Sequence, residues 1–225
     1  MVKITFYLKS TPKHGLHQAI SCFLKLTLAN EEELTLLQVR LHGRGGQGAV
    51  TTAEMLSLAA FLEGHFAQAF PSFGSERTGA PVVAYARIDE KEVRTHEPIL
   101  EPDVVLVQDR TLLSVVDVFS GISPNGYAII NTEETPEQVA PELCKKLPKG
   151  HVLTFPATKF AIQAMKMNKP GAPMLASLAA ATKVLKLESV QKSFQTRYPG
   201  KVGDANAEAA ALSYNYLIEK MKGAE

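Results

Sequence analysis

One stretch limits the folds open to this chain more than any other. Between Leu37 and Leu62 the hydrophobic period changes once, and the change falls on a cluster of glycines. Leu37, Val39 and Leu41 alternate with Gln38, Arg40 and His42, the period-two signature of a strand. From Ala49 to Leu62 the chain is rich in Ala, Leu and Met, with Ala53, Leu56 and Ala60 on one helical face. Between the two lies HGRGGQG, in which Gly43, Gly45 and Gly48 keep the spacing G-x-G-x-x-G. A strand running through such a loop into a helix is the opening unit of a doubly wound α/β sheet.

The rest of the chain continues the alternation. Strands are predicted at Pro81 to Ile88, Asp103 to Val107, Tyr127 to Asn131 after the turn Ser123-Pro124-Asn125-Gly126, and His151 to Phe155. Helices are predicted at Thr111 to Phe119, Thr135 to Leu147, Ala157 to Met167, Met174 to Leu185, Ser189 to Arg197 and Ala205 to Lys220. The implied fold is α/β: an open, mostly parallel sheet with helices on both faces, a Rossmann-like three-layer arrangement. With 225 residues, 45% of them hydrophobic, one domain suffices. Residues 1–35 break the pattern, because Thr11, Pro12, His14 and Gly15 interrupt an apolar run and Glu31, Glu32 and Glu33 close it. They read as an N-terminal extension of uncertain structure, and the domain proper as residues 36–225.

The glycine spacing alone leaves the ligand open. A nicotinamide site needs a carboxylate about 20 residues on, at the end of the second strand, to accept from the ribose hydroxyls. Here the region reads GHFAQAFPSFG, with no carboxylate between Glu63 and Glu76, which disfavours an independent nicotinamide oxidoreductase. The loop still offers free backbone N–H groups and the positive end of a helix dipole, which suit phosphate. Arg44 adds a guanidinium able to fork onto phosphate oxygens, and Gln47 an amide; the alternative is a tight turn with Arg44 solvated. A second dense segment, Gln68 to Pro81, packs aromatics, prolines and glycines around Ser75, Glu76, Arg77, Thr78 and Gly79. Loops of this kind carry function in many folds, although Glu76 and Arg77 also fit a local surface ion pair.

Composition narrows the chemistry further. A net charge of +1, from 24 basic and 23 acidic residues, points to neither nucleic acid nor a membrane surface. Cys22 and Cys144, the two cysteines, are too few for an iron–sulfur cluster or a structural zinc site, and they fit a reduced, cytoplasmic setting. No apolar run reaches the roughly 18 to 20 residues of a membrane span, and the first residues lack the pattern of a secretory signal. His42 and His65 flank the glycine helix without a carboxylate partner, and no Ser-His-Asp or Cys-His order stands out, so no catalytic or metal-ligating residue is assigned. Lys159, Lys166 and Lys169 read as a surface face, and Asp109 and Arg110, after a strand end, rank below the two loops.

In their order and spacing, the runs RLHGRGGQGAVTTAEMLSLAA, QAFPSFGSERTGAPVVAYARID and PDVVLVQD resemble the gamma subunit of the 2-oxoacid:ferredoxin oxidoreductases, the pyruvate and branched-chain 2-ketoacid enzymes of anaerobes. The resemblance covers roughly residues 36 to 220. It implies a subunit inactive alone, joined by alpha, beta and delta subunits that hold thiamine diphosphate, Mg and [4Fe-4S] clusters, with ferredoxin as electron acceptor. The complex would convert a 2-oxoacid and coenzyme A into acyl-CoA. For this chain the resemblance implies a part of the coenzyme A site at Gly43, Arg44, Gly45, Gly46, Gln47 and Gly48, and at Ser75, Glu76, Arg77, Thr78 and Gly79. A purely structural interaction subunit of the same complex is the alternative. Family members often show N-x-x-M-L-G-A-L in a later helix; here GAPMLASLAAAT puts Gly171 or Ala172 at the Asn and Ala176 at the Gly.

Overall fold

A computed structural model describes residues 36–72 and 78–223. The extension 1–35, Cys22, and Ser75, Glu76 and Arg77 of the second loop lie outside the described residues. In chain order the elements are β1 (Leu37–Arg44), α1 (Ala49–Leu62), β2 (Phe66–Pro71), β3 (Pro81–Asp89), β4 (Val104–Val107), a 3-10 turn (Arg110–Ser114), β5 (Tyr127–Asn131), α2 (Pro136–Val139), α3 (Pro141–Lys146), β6 (Val152–Phe155), α4 (Ala157–Met165), α5 (Gly171–Thr182), α6 (Leu187–Arg197) and α7 (Lys201–Lys222).

The strands form one six-stranded sheet in the order β2-β3-β1-β4-β5-β6. β1, β4, β5 and β6 are mutually parallel, in register through Val39↔Val104, Val104↔Tyr127 and Ala128↔Val152. β3 runs antiparallel to both β1 and β2. The expected α/β architecture with a mostly parallel sheet is therefore what the chain adopts.

Side-chain alternation along the central strands builds the two cores. Val104 and Leu106 of β4 face the larger one with Val39, Leu41, Ile129 and Phe155, under α1, α5, α6 and α7. Val105 and Val107 face the smaller one with Ala128 and Ile130, under Leu112, Ala140, Leu143 and Leu147. Strands buried on both faces read as continuous apolar runs, as VVLV in β4 does. Helix α5 is apolar all round and has its residues Gly171 to Ala181 buried.

Three expectations need correction. The segment Gln68 to Pro81 is not one connection, because Phe66–Pro71 forms β2. This strand is short, alanine-rich and ends in proline, and it pairs with β3 alone, so its pattern is weak. The helix predicted at Thr111 to Phe119 is only the 3-10 turn Arg110–Ser114: Asp109 caps it through Thr111 N–H, and the β-branched Val115, Val116 and Val118 follow. The helix predicted at Thr135 to Leu147 breaks in two, since Pro141 has no N–H and Ala140 before it leaves the helical region at φ −144°, ψ 55°.

Candidate functional site

Parallel α/β sheets place ligands at the carboxyl ends of their strands, where chain connections diverge. That edge here carries Gly43 and Arg44 of β1, Gln108 and Asp109 after β4, Asn131 of β5, and Thr158 after β6. The β1–α1 connection leads to one side of β1, towards β2, whereas β4 lies on the other side and leads on to β5. The glycine loop stands at this divergence.

Gly43, Gly46 and Gly48 are glycine for two different reasons. An ideal Cβ on Gly43 would stand 2.8 Å from Gln108 Oε1 and 3.0 Å from Ala49 Cβ, so close packing favours glycine there. Gly46 and Gly48 adopt φ values of 94° and 81°, which disfavour any residue with a side chain. A Cβ on either would meet nothing within 4 Å, so their demand is conformational and the space they face is open. Helix α1 starts after Gly48 with no side-chain cap and no acidic residue in its first turn. Its first amides are left for water or a ligand.

The polar side chains of the loop are turned on one another. Arg44 N–H donates to Gln47 Oε1 at 2.9 Å, and Gln47 Nε2 donates to Asp109 Oδ2 at 2.8 Å. The Arg44 guanidinium donates to Thr111 Oγ1 from Nε and Nη2 and to the Gly79 carbonyl from Nη1. Its Nε lies 3.4 Å from Asp109 Oδ2. Burial pushes the Asp109 carboxyl up, but hydrogen bonds from Thr111 and Gln47 and the charge of Arg44 outweigh it and hold the group below its ordinary value. Asp109 is thus the anionic centre of the loop, and Arg44 braces the backbone with its charge already balanced.

The second loop meets the first through two backbone hydrogen bonds, Gly45 N–H to Ala80 O at 2.9 Å and Gly79 N–H to Gly45 O at 3.0 Å. Gly43 through Gly48 and Gly79 are therefore brought together, with Thr78 beside Gly79 in chain order. A deeper lattice, which sequence reasoning missed, supports them. Gln108 Nε2 donates to Thr52 Oγ1, which itself donates to Gly48 O and so braces the first turn of α1. Asn131 donates to Gln108 O and Thr158 Oγ1, and accepts from Thr158 N–H. The signal available in the sequence was positional for two of them: Gln108 directly follows β4 and Asn131 ends β5, whereas Thr52 and Thr158 sit in the helices α1 and α4.

We expect Gly43→Ala to destabilise the domain by about 1–3 kcal/mol, because the added methyl displaces Gln108 and breaks its bond to Thr52. Urea unfolding of the wild type and variant measures this. Equal midpoints would mean that Gln108 moves aside at no cost.

Two concavities flank Gln47. One is a polar groove over the ends of β4, β5 and β6, where Arg110 pairs with Glu134 at 2.8 Å and Lys159 with Glu133 at 2.7 Å. The other is a cavity of about 440 Å³ between the start of α1, residues 164–172 and the α6–α7 corner. No group of three or more metal-ligating side chains occurs among the described residues. Nor, among them, is any helix long and apolar enough to cross a membrane. Among the described residues, β2 and Ser72 after it carry no carboxylate.

Residues 38–216 match the family described as pyruvate ferredoxin/flavodoxin oxidoreductase. The pyruvate/ketoisovalerate oxidoreductases common subunit gamma of Thermococcus kodakarensis is 45% identical over 183 residues, which cover 81% of this chain and 98% of that protein. The crystal structure of the pyruvate oxidoreductase subunit PORC of Thermotoga maritima aligns with a TM-score of 0.67 at 35% identity, over 81% of this chain and 97% of that one. The fold also recurs in a 2-oxoglutarate:ferredoxin oxidoreductase from Magnetococcus marinus with 2-oxoglutarate, coenzyme A and succinyl-CoA bound. There the TM-score is 0.60 at 15% identity, over 84% of this chain and 32% of that one. With a match that runs from β1 into α7 and relatives covered almost end to end, this chain belongs to the pyruvate ferredoxin/flavodoxin oxidoreductase family, as one of its gamma subunits.

Proposed function

We propose that this chain is the gamma subunit of a cytoplasmic pyruvate or 2-ketoisovalerate:ferredoxin oxidoreductase and that its glycine loop forms part of the coenzyme A site. Alpha, beta and delta subunits complete the complex, and ferredoxin accepts its electrons. Two cysteines cannot ligate a four-iron cluster, so the clusters are assigned to the partners, as are thiamine diphosphate and Mg. The complex converts a 2-oxoacid and coenzyme A into acyl-CoA and carbon dioxide, passing two electrons to ferredoxin.

The observation that carries the coenzyme A reading is the uncapped start of α1 at the carboxyl edge of the sheet, next to an open cavity. Coenzyme A is phosphate-rich and needs no ribose carboxylate, in keeping with what this loop offers. In this reading the first amides of α1, after Gly48, meet a phosphate, Gly46 and Gly48 give the turn its positive φ, Arg44, Gln47 and Gly79 hold the loop in shape, and Gly43 and Gly45 fix its roots. The same reading keeps Ser75, Glu76, Arg77 and Thr78 as candidate site residues from the sequence. Arg44 acts by bracing the loop, its charge balanced by Asp109.

Arg44→Ala should raise the coenzyme A requirement of the assembled complex about tenfold or more, because the loop loses the hydrogen bonds to Thr111 and Gly79 that hold it in shape. Decarboxylation of the 2-oxoacid without coenzyme A should change less than about twofold by the same reasoning. Steady-state titration of coenzyme A, after assembly is verified by gel filtration, measures both. A normally assembled variant with wild-type coenzyme A dependence would leave the chain as a scaffold.

A further inference from the structure

We propose that β2, the outer strand of the sheet, pairs antiparallel with β2 of a second copy of this chain across a two-fold axis at Gln68, so that the two sheets join into one.

β2 stands at the end of the strand order and pairs with β3 alone. Ser72 N–H donates to Val83 O, which continues the β2–β3 register by one residue beyond Pro71. Antiparallel residues alternate between bonded and non-bonded pairs, so Phe70 and Gln68 turn their N–H and C=O groups to β3, and Ala67 and Ala69 turn theirs outward. Among the described residues nothing is hydrogen-bonded to those outward groups. Beyond them the free donors end, since His65 N–H is taken by Ala60 O and Pro71 has no N–H.

The opposite edge of the sheet is guarded. On β6 the carbonyls of His151 and Phe155 accept from β5 and from Thr132 after it, which leaves the Thr154 carbonyl facing outward. Lys220 of α7 donates to that carbonyl from Nζ at 2.7 Å, and a lysine laid over an edge strand opposes further pairing. β2 has no such guard. From His65 to Gly74 the chain carries no Lys, Arg, Asp or Glu. Phe61 and Leu62 at the end of α1 and Phe66 at the start of β2 are 69%, 43% and 50% exposed, apolar surface that a paired copy would cover.

The absence of charge selects the occupant. Near a two-fold axis each residue meets its own copy, so a charged side chain there would repel itself and an uncharged strand pairs without that penalty. In the register centred on Gln68, Ala67 lies opposite Ala69 of the second copy, and each donates to and accepts from the other, which uses every free donor of β2. Gln68 lies opposite Gln68 of the second copy as a non-bonded pair, with Cβ atoms about 4.5–5.5 Å apart. Its Oε1, which has no partner within the single chain, then stands opposite an amide donor.

Sedimentation velocity of the full-length chain tests this, and a concentration-dependent dimer is expected. Ala69→Pro removes an outward donor from each copy and leaves the bonds from β2 to β3 in place, so it should weaken the dimer about tenfold or more with an unchanged melting curve. Gln68→Lys and Gln68→Glu each set like charges opposite one another and should dimerise about tenfold more weakly, whereas their equimolar mixture should regain at least the wild-type affinity. Recovery in the mixture requires that residue 68 of one copy faces residue 68 of the other, which a folding defect does not imitate, so the mixture decides if Ala69→Pro melts early. A wild-type chain that stays monomeric at about 100 µM would overturn the proposal and leave the edge to a strand of another subunit. A dimer that all three variants keep at wild-type strength, or one that the mixture fails to restore, would overturn it as well.

Discussion

Acidification from pH 7 to pH 4 is expected to remove about 3 kcal/mol of stability through His42 alone. The ring is 4% exposed on β1, and its Nε2 has no hydrogen-bond partner. Burial, with a smaller contribution from the Arg40 charge, brings its pKa down from 6.5 to about 4. Between those values the unfolded chain binds a proton that the folded chain refuses, so stability rises with pH across the window. The contribution is complete above pH 6.5 and is lost as the pH falls towards 4. A displacement of about 2.5 pH units at about 1.36 kcal/mol per unit sets the magnitude. Urea midpoints at pH 7, 5.5 and 4 should show the loss in the wild type and a flatter profile in His42→Leu. Parallel losses in the two proteins would assign the acid sensitivity elsewhere.

Arg40→Met is expected to cost on the order of 3–5 kcal/mol. Arg40 is 7% exposed, and its guanidinium donates to the carbonyls of Ile99, Val118 and Ser120 at 3.3, 3.0 and 2.5 Å. Those carbonyls lie on two connections that flank β4 in sequence, so one side chain of β1 ties both to the sheet. Methionine fills much of the space but donates nothing, and buried carbonyls left without a partner cost about 1–3 kcal/mol each. The same variant removes the charge that helps to depress His42, so the His42 pKa should rise and the acid window narrow. Thermal melts and an NMR titration of the His42 ring read the two effects separately. A melting temperature equal to that of the wild type would show that water or other donors satisfy the three carbonyls.

Local physics accounts for what was legible in the residues. β1, the glycine turn and α1 each follow from neighbours in the chain: alternation for the strand, positive φ for Gly46 and Gly48, and helix-forming residues after them. Where a local rule was overlooked, the reading erred. Pro141 splits the helix predicted at Thr135 to Leu147, and the valines after Ser114 leave the preceding turn without a helix to lead into. The strand β2 is a different kind of miss, because its weak pattern becomes a strand only through pairing with β3.

By itself the sequence determined the α/β class, the strand–loop–helix unit and the family, because periodicity, backbone conformation and motif order are properties of consecutive residues. It also set the cysteine count at two, fewer than the four that a four-iron cluster held by one chain needs. Only the tertiary structure decided what Arg44 does. From the sequence it is a cation in a phosphate loop; in the fold it faces Asp109, which reaches Gln47 across a sequence separation of 62, and its charge is balanced before any ligand arrives. Only the fold likewise set the unpaired lysines Lys169 and Lys201 around one cavity and left the other concavity lined by carboxylates. Charge balance depends on distance through space, and the packing of parallel strands brings together residues far apart along the chain.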